Sequence, residues 1–146
     1  MKPRDCWPVL EKKAMDEVET AMAAVAAVRK NIEYLQGRRE QLLAMYADYK
    51  AGMEEKQQKL HSMADAANQR QFMSHLLQLV DRIDEDLKKA HSDLIQAREV
   101  QRQAEQQRVK MSSLVEQDLN RVKAYERKKD QRQMDALGIT LFNLKT

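Results

Sequence analysis

The residues of this chain that could support catalysis or bind a metal are few and scattered. Its three histidines stand at positions 61, 75 and 91, outside any HExxH pattern, and its only cysteine is Cys6. A zinc site needs several imidazole or thiolate ligands, which these residues do not supply. Gly37, Gly52 and Gly138 stand alone rather than in a phosphate-binding loop. We therefore expect no catalytic residue, no metal and no cofactor.

A basic cluster is the remaining group of residues with a chemical signature. It contains six cations and two carboxylates, Glu126 and Asp130, which give a net charge of +4. The cations are Arg121, Lys123, Arg127, Lys128, Lys129 and Arg132. Such a charge attracts phosphate, so nucleic-acid binding is one interpretation. The alternatives are a solvated helix end, where cations offset the macrodipole, and a protein-binding end. A zipper-type basic region precedes its coiled coil, whereas this cluster follows one, which favours the alternatives.

Apolar residues recur at alternating spacings of three and four along most of the chain, and no proline follows Pro8. The first seam consists of Val18, Val25, Ile32, Arg39, Tyr46, Met53 and Leu60, interleaved with Ala21, Val28, Leu35, Leu42, Tyr49, Lys56 and Met63. The second consists of Met73, Val80, Leu87, Leu94, Gln101, Arg108, Val115 and Val122, interleaved with Leu76, Ile83, Ala90, Ala97, Ala104, Met111, Asp118 and Tyr125. A sustained seven-residue repeat predicts long helices in a left-handed supercoil.

The partner of the first helix is expected within the same chain. The two seams differ in phase, and Asp65 and Asn68, which favour turns and helix caps, lie between them. We predict an all-α fold of two long helices forming an antiparallel coiled-coil hairpin. Its expected parts are a first arm over about 9–64, a turn over about 65–70, a second arm over about 71–136 and a tail over 137–146. The alternative is one continuous helix that dimerises.

With the turn placed near Asn68, large residues oppose small ones along the seam, as close packing requires. The expected facing pairs are Tyr46 with Ala90, Arg39 with Ala97, Ile32 with Ala104, and Leu42 with Leu94. Some seam positions are polar, namely Arg39, Lys56, Gln101, Arg108 and Asp118. Register selection and long side chains that reach water both account for such residues. Gln101, Arg108 and Asp118 cluster towards the open end, which predicts that this end is less stable and that a partner could supply contacts there.

Three apolar residues fall just outside the seam on one flank near the turn: Met45, Phe72 and Leu79. Together they suggest a docking patch, although single exposed apolar side chains are common and need no function. The longest apolar run, residues 21–28, is far shorter than the ~20 residues that span a bilayer. With no hydrophobic signal segment either, we expect a cytosolic protein.

The ordered motifs of the chain resemble those of the FliJ family, components of the flagellar type III protein export machinery. The resemblance rests on residues 10–18, on Leu42 with Tyr49 and Lys50, on NQRQFM at residues 68–73 followed by Leu76, and on DQRQMD at residues 130–135. It extends from about residue 10 to residue 135.

The resemblance implies a non-enzymatic stalk or adaptor that binds the hexameric export ATPase and the transmembrane export gate, and that takes part in recycling export chaperones. It implies a location at the cytoplasmic face of the inner membrane, without insertion into it. From the predicted hairpin we expect a chain that is monomeric when free. The implied gate-contact residues are Phe72, Leu76, Leu42 and Tyr49, beside which the flank adds Met45 and Leu79. For the ATPase ring we expect Arg121, Arg127, Lys128, Lys129, Arg132 and Met134. Without the resemblance, a general coiled-coil scaffold is the alternative.

Overall fold

Two long α-helices make up the computed structural model, which describes residues 2–57 and 63–145. Helix α1 is Cys6–Gln57 and helix α2 is Met63–Lys145, and no strand occurs in those ranges. The helices pack against each other in opposite directions: Arg39 contacts Asp84, while Tyr49, further along α1, contacts Phe72, earlier on α2. The predicted all-α fold with two long packed helices is confirmed.

Helix α1 begins three residues before the expected start of the first arm at Val9. Pro8 lies in its first turn, where the N–H that proline lacks would have no partner inside the helix. Asp5, a residue type favoured at helix N-caps, directly precedes the helix. The prolines of this chain therefore leave the helix intact.

The position predicted for the turn is wrong, because residues 65–70 belong to the first turns of α2. Asp65 is stabilised there by the positive end of the helix dipole, and the neighbouring alanines have the highest helix propensity. Helix α1 ends at Gln57 and α2 begins at Met63, and residues 58–62 lie outside the described ranges. The expected tail over 137–146 is likewise helical as far as Lys145.

The chain divides into two compact units, each containing parts of both helices. The unit Met22–Val100 has a core of Leu42, Leu76 and Val80, against which Leu43, Tyr46, Leu79 and Ile83 pack. Val25, Ile32 and Ala90 are also buried in this unit. The unit formed by Met1–Ala21 and Gln101–Thr146 buries Ala14, Val18, Ala21, Asp118 and Val122. All these buried residues except Ala14 stand in the predicted seams.

The predicted facing pairs are wrong. Arg39 meets Asp84 rather than Ala97, thirteen residues further along α2. Tyr46 packs on the Leu42 and Leu76 core, while Ala90 lines a groove with Asn31 and Leu35. A seven-residue repeat fits equally well at offsets of one or two heptads, so the position of the turn sets the register. Moving the turn towards Gln57 shifts the facing residues by about two heptads.

Three of the polar seam residues have partners in the structure. Arg39 Nε donates to Asp84 Oδ1 across the two helices at 2.7 Å, and Arg108 Nε donates to Glu105 Oε2 within α2 at 3.1 Å. Asp118 is buried and accepts from the main-chain N–H of Arg4 and from Arg121. The half-exposed Arg39 and Asp84 pair contributes about 0.2–1 kcal/mol, so its larger role is to select the register.

Candidate partner-binding surfaces

An aromatic pair lies on the surface of the unit Met22–Val100. The rings of Tyr49 and Phe72 are 4.6 Å apart between centroids and inclined at 47°. Phe72 remains 37% exposed and Tyr49 42% exposed. Met45, one turn before Tyr49, is exposed on the same side, and Leu79, two turns after Phe72, is half-buried. We call Met45, Tyr49, Phe72 and Leu79 the aromatic flank.

The remaining two residues expected at the gate contact lie inside the helix pair. Leu76 is only 2% exposed and Leu42 is buried beside it in the same core cluster. Leu76 follows Phe72 by one helical turn, so this buried side chain lies beneath the aromatic flank. Their removal would first disturb the packing of the two helices. The structure thus brings all six residues together in one region, with three exposed, Leu79 half-buried against the core, and two in the core.

Sequence reasoning missed a groove beside the seam, on the side where Met73 and Leu77 lie. This groove, of about 470 Å³, is lined by Tyr46, Lys50, Met53, Glu54, Arg70, Met73, Ser74 and Leu77. Met53 and Met73 were predicted only as seam residues, and both are half-buried. The exposed Leu77, directly after a seam residue, was the signal that could have indicated an apolar surface there.

The basic residues expected at the ATPase contact divide into two groups. Arg121 Nη2 donates to Asp118 Oδ1 at 2.8 Å, so this guanidinium stabilises the helix pair itself. Arg127, Lys128, Lys129, Arg132 and Met134 are all exposed, and in the described chain no residue from 123 to 145 is buried. Since Arg4, just before α1, meets Asp118, these residues lie past the start of α1. We call residues 123–145 the exposed segment; Tyr125, predicted in the seam, is exposed for this reason.

The exposed segment also carries large apolar side chains, and among them the sequence indicated a binding role only for Met134. They are Met134, Leu137, Ile139, Leu141, Phe142 and Leu144, each 59 to 78% exposed. The spacing of Met134, Leu137, Leu141 and Leu144 is three, four and three, a helical pattern that could have indicated this surface. The repeat that forms the seam leads instead to Ala136, Ile139 and Asn143.

In the described part of the chain, the residues that could bind a metal do not cluster in a site. Within residues 2–57 and 63–145, no three His, Cys, Asp or Glu side chains are grouped so as to hold a metal ion. The Cys6 thiol is exposed and not in a disulfide. Neither of the described helices contains a stretch long and apolar enough to cross a membrane.

Comparison with known proteins supports the resemblance found in the motifs. Residues 9–146 match the family model described as the flagellar FliJ protein, which covers nearly the whole chain. The predicted family is thereby confirmed. No curated protein and no solved structure matches the chain.

Proposed function

This chain belongs to the FliJ family of flagellar proteins, and from that membership we propose that it is a stalk or adaptor between the export ATPase ring and the export gate. FliJ proteins are non-enzymatic components associated with flagellar protein export. In this proposal the chain couples ATP hydrolysis to protein export and flagellum assembly at the cytoplasmic face of the inner membrane. It also takes part in the recycling of export chaperones.

The aromatic flank is the observation that supports gate binding most directly. Tyr49 and Phe72 come from different helices, yet their rings are in contact and remain more than a third exposed. A pre-ordered aromatic pair loses little side-chain entropy on binding, and buried aromatic residues often dominate interface energies. Leu76 and Leu42 hold the two helices together beneath the pair. In the proposal they position the contact surface rather than touch the gate.

Gate binding is tested by truncating the exposed ring. Phe72→Ala should weaken binding to the cytoplasmic part of the cognate gate protein by roughly thirtyfold, equivalent to about 2 kcal/mol. Ile95→Ala is the matched control, because Ile95 is an exposed apolar residue of the same unit, away from the aromatic flank. Isothermal titration of both variants measures the difference. Equal affinities for the two variants would contradict the gate assignment.

The exposed segment supports the second contact. Its cations lie beyond the start of α1, so a partner can surround this part of α2 without displacing another helix. Arg127, Lys128 and Lys129 form its densest positive charge, suited to an acidic lining on the partner. In the proposal these residues, with Arg132 and Met134, engage the ATPase ring. Arg121 contributes by holding Asp118, which keeps the start of α1 in place.

The ATPase contact is tested by reversing those charges. Changing Arg127, Lys128 and Lys129 to Glu should abolish the increase in ATP turnover that the chain gives its cognate export ATPase. The control reverses three exposed cations of the paired region, Arg82, Lys88 and Lys89, and should keep that increase. Unchanged stimulation in the first variant, together with salt-sensitive duplex binding lost by it, would make nucleic acid the better assignment.

A further inference from the structure

The groove beside Met73 and Leu77, which we call the Met73 groove, lies on the side of the helix pair opposite the aromatic flank. Its lining residues Lys50 and Leu77 each come directly after a seam position, whereas Met45 and Phe72 of the aromatic flank each come directly before one. Residues directly before and directly after the seam lie on opposite sides of a paired helix. The Met73 groove is therefore a second surface, separate from the gate contact proposed above.

The lining of the Met73 groove is partly apolar and can adapt its shape. Tyr46, Met53 and Met73 are half-buried in it, and Leu77 is 40% exposed. Unbranched methionine side chains repack around apolar groups of different shapes. The volume of about 470 Å³ is in the range of sites that bind ligands. This surface can therefore accept several apolar side chains of a partner.

Two cations lie at the same level of the Met73 groove on different helices. The ring contact of Tyr49 with Phe72 fixes how the helices are aligned there. Lys50 comes one residue after that contact on α1, and Arg70 comes two residues before it on α2. Among the described residues, neither cation takes part in an ion pair, and nor does Glu54, the one carboxylate of the lining. The lining thus has a net charge of +1 and contains a like-charge pair, whereas positions beside a seam usually carry opposite charges.

Charge and shape together identify the occupant. A carboxylate between Lys50 and Arg70 would replace their repulsion with two charge-assisted contacts. The groove follows the helices for about two turns, from Tyr46 to Glu54, and over that length one helix presents apolar side chains at i, i+3 or i+4, and i+7. An extended peptide would instead need a strand edge for its backbone, which the two described helices do not offer.

We propose that the Met73 groove binds an amphipathic helix of a protein partner, with apolar side chains against Met53, Met73 and Leu77 and a carboxylate between Lys50 and Arg70. The bound helix forms a three-helix arrangement with the two helices of the unit Met22–Val100. The chain can hold this helix and a partner on the aromatic flank at the same time, because the two surfaces lie on opposite sides. In the free chain the two cations cost stability that the partner's carboxylate restores on binding.

The binding test uses the full chain and two synthetic peptides that differ at one position. Each is a helical peptide of about 15 residues with leucines at i, i+3 and i+7, and one carries glutamate beside the middle leucine where the other carries lysine. The glutamate peptide should bind about tenfold more tightly, because its carboxylate attracts the two cations that repel lysine. Lys50→Glu combined with Arg70→Glu should reverse that preference. Fluorescence anisotropy measures the four affinities.

Two further variants show whether the groove itself is responsible. Leu77→Ala should weaken the binding of both peptides about fivefold, the effect of burying the exposed part of one leucine. Arg82→Glu combined with Lys88→Glu is the matched control, because both cations are exposed in the same unit and neither lines the groove. It should keep the preference for the glutamate peptide.

Thermal stability without a peptide tests the like-charge pair. Arg70→Gln should raise the melting temperature by about 1–2 °C, because Lys50 no longer has a cation opposite it. Arg82→Gln is the control and should leave the melting temperature unchanged. A lower melting temperature for Arg70→Gln would show that Arg70 already has a stabilising counter-charge in the free chain, which would overturn the proposal.

Three binding outcomes would also overturn it. One is the absence of binding of both peptides. Another is equal binding of the two peptides to the unaltered chain, since the cations would then select nothing. The third is sedimentation equilibrium showing a dimer that Leu77→Ala weakens, without peptide binding, which would assign the Met73 groove to a second copy of the chain.

Discussion

The main-chain N–H of Arg4 donates a hydrogen bond of 2.7 Å to Oδ2 of Asp118, joining the residues just before α1 to the seam of α2. The other oxygen of the same carboxylate accepts from Arg121 at 2.8 Å. Asp118 is the one charged side chain that is buried among the described residues. Both of its oxygens are satisfied, so this acid stabilises the structure where α1 begins.

Asp118→Ala should lower the free energy of unfolding by about 1–3 kcal/mol, because the partly buried N–H of Arg4 loses its acceptor and Arg121 loses its counter-charge. Asp84→Ala is the control, since it removes a half-exposed pair worth about 0.2–1 kcal/mol. Urea titration followed by circular dichroism measures both. A larger loss in Asp84→Ala than in Asp118→Ala would contradict this ranking of the two acids.

Thiol crosslinking should report the observed register. With Cys6→Ser as background, cysteines at positions 39 and 84 should react with a short bifunctional reagent within one chain, since their side chains meet at 2.7 Å. Cysteines at 46 and 90 should not, because Ala90 lies with Asn31 and Leu35. Mass spectrometry distinguishes links within a chain from links between chains. Crosslinking of the cysteines at positions 46 and 90 within one chain would support the register expected from the sequence instead.

Leu76→Ala should destabilise the protein by about 2–5 kcal/mol, as truncating a buried leucine removes packing and leaves a cavity. Phe72→Ala should cost much less, since over a third of that ring is exposed. Thermal melts of the two variants give the comparison. Similar losses would place Phe72 in the core and remove the structural basis of the aromatic flank.

Gly37→Ala should raise the free energy of unfolding by about 0.5–1 kcal/mol, because a Cβ at this helical position meets no atom within 4 Å and alanine loses less backbone entropy. Gly138→Ala should increase helicity in the exposed segment without moving the melting midpoint of the packed helices. Far-ultraviolet circular dichroism separates the two effects. A fall in stability for Gly37→Ala would reveal a close neighbour at that position.

The seams could be predicted from the sequence because a seven-residue repeat determines which side of each helix is buried. Val18, Val25 and Ile32 are buried as expected, and so are Leu76 and Val80. The register of the two helices could not be predicted from the sequence, because the same repeat fits at offsets of whole heptads. Asp65 and Asn68 are favoured both in turns and near helix starts, so composition alone could not place the reversal before Met63.

How well each candidate surface could be predicted also depended on the register of the two helices. Phe72 stands outside the repeat, so its exposure could be predicted without the register. Tyr49 stands within the repeat, and whether its partner helix covers it depends on which residue faces it. The exposed segment follows from the unequal lengths of the helices, 52 residues for α1 and 83 for α2. That difference could be known only once the reversal was located.

The exposed segment has a consequence for amide hydrogen exchange along α2. Up to Val122 each backbone hydrogen bond opens only when the packing of two helices is disturbed, whereas residues 123–145 depend on helix propensity alone. Most of the stability of helices in proteins comes from tertiary packing, which this segment lacks. One uninterrupted helix should therefore contain two populations of amide protons, slow before Val122 and fast after it. Any partner or surface that binds the exposed segment will slow the second population while leaving the first unchanged.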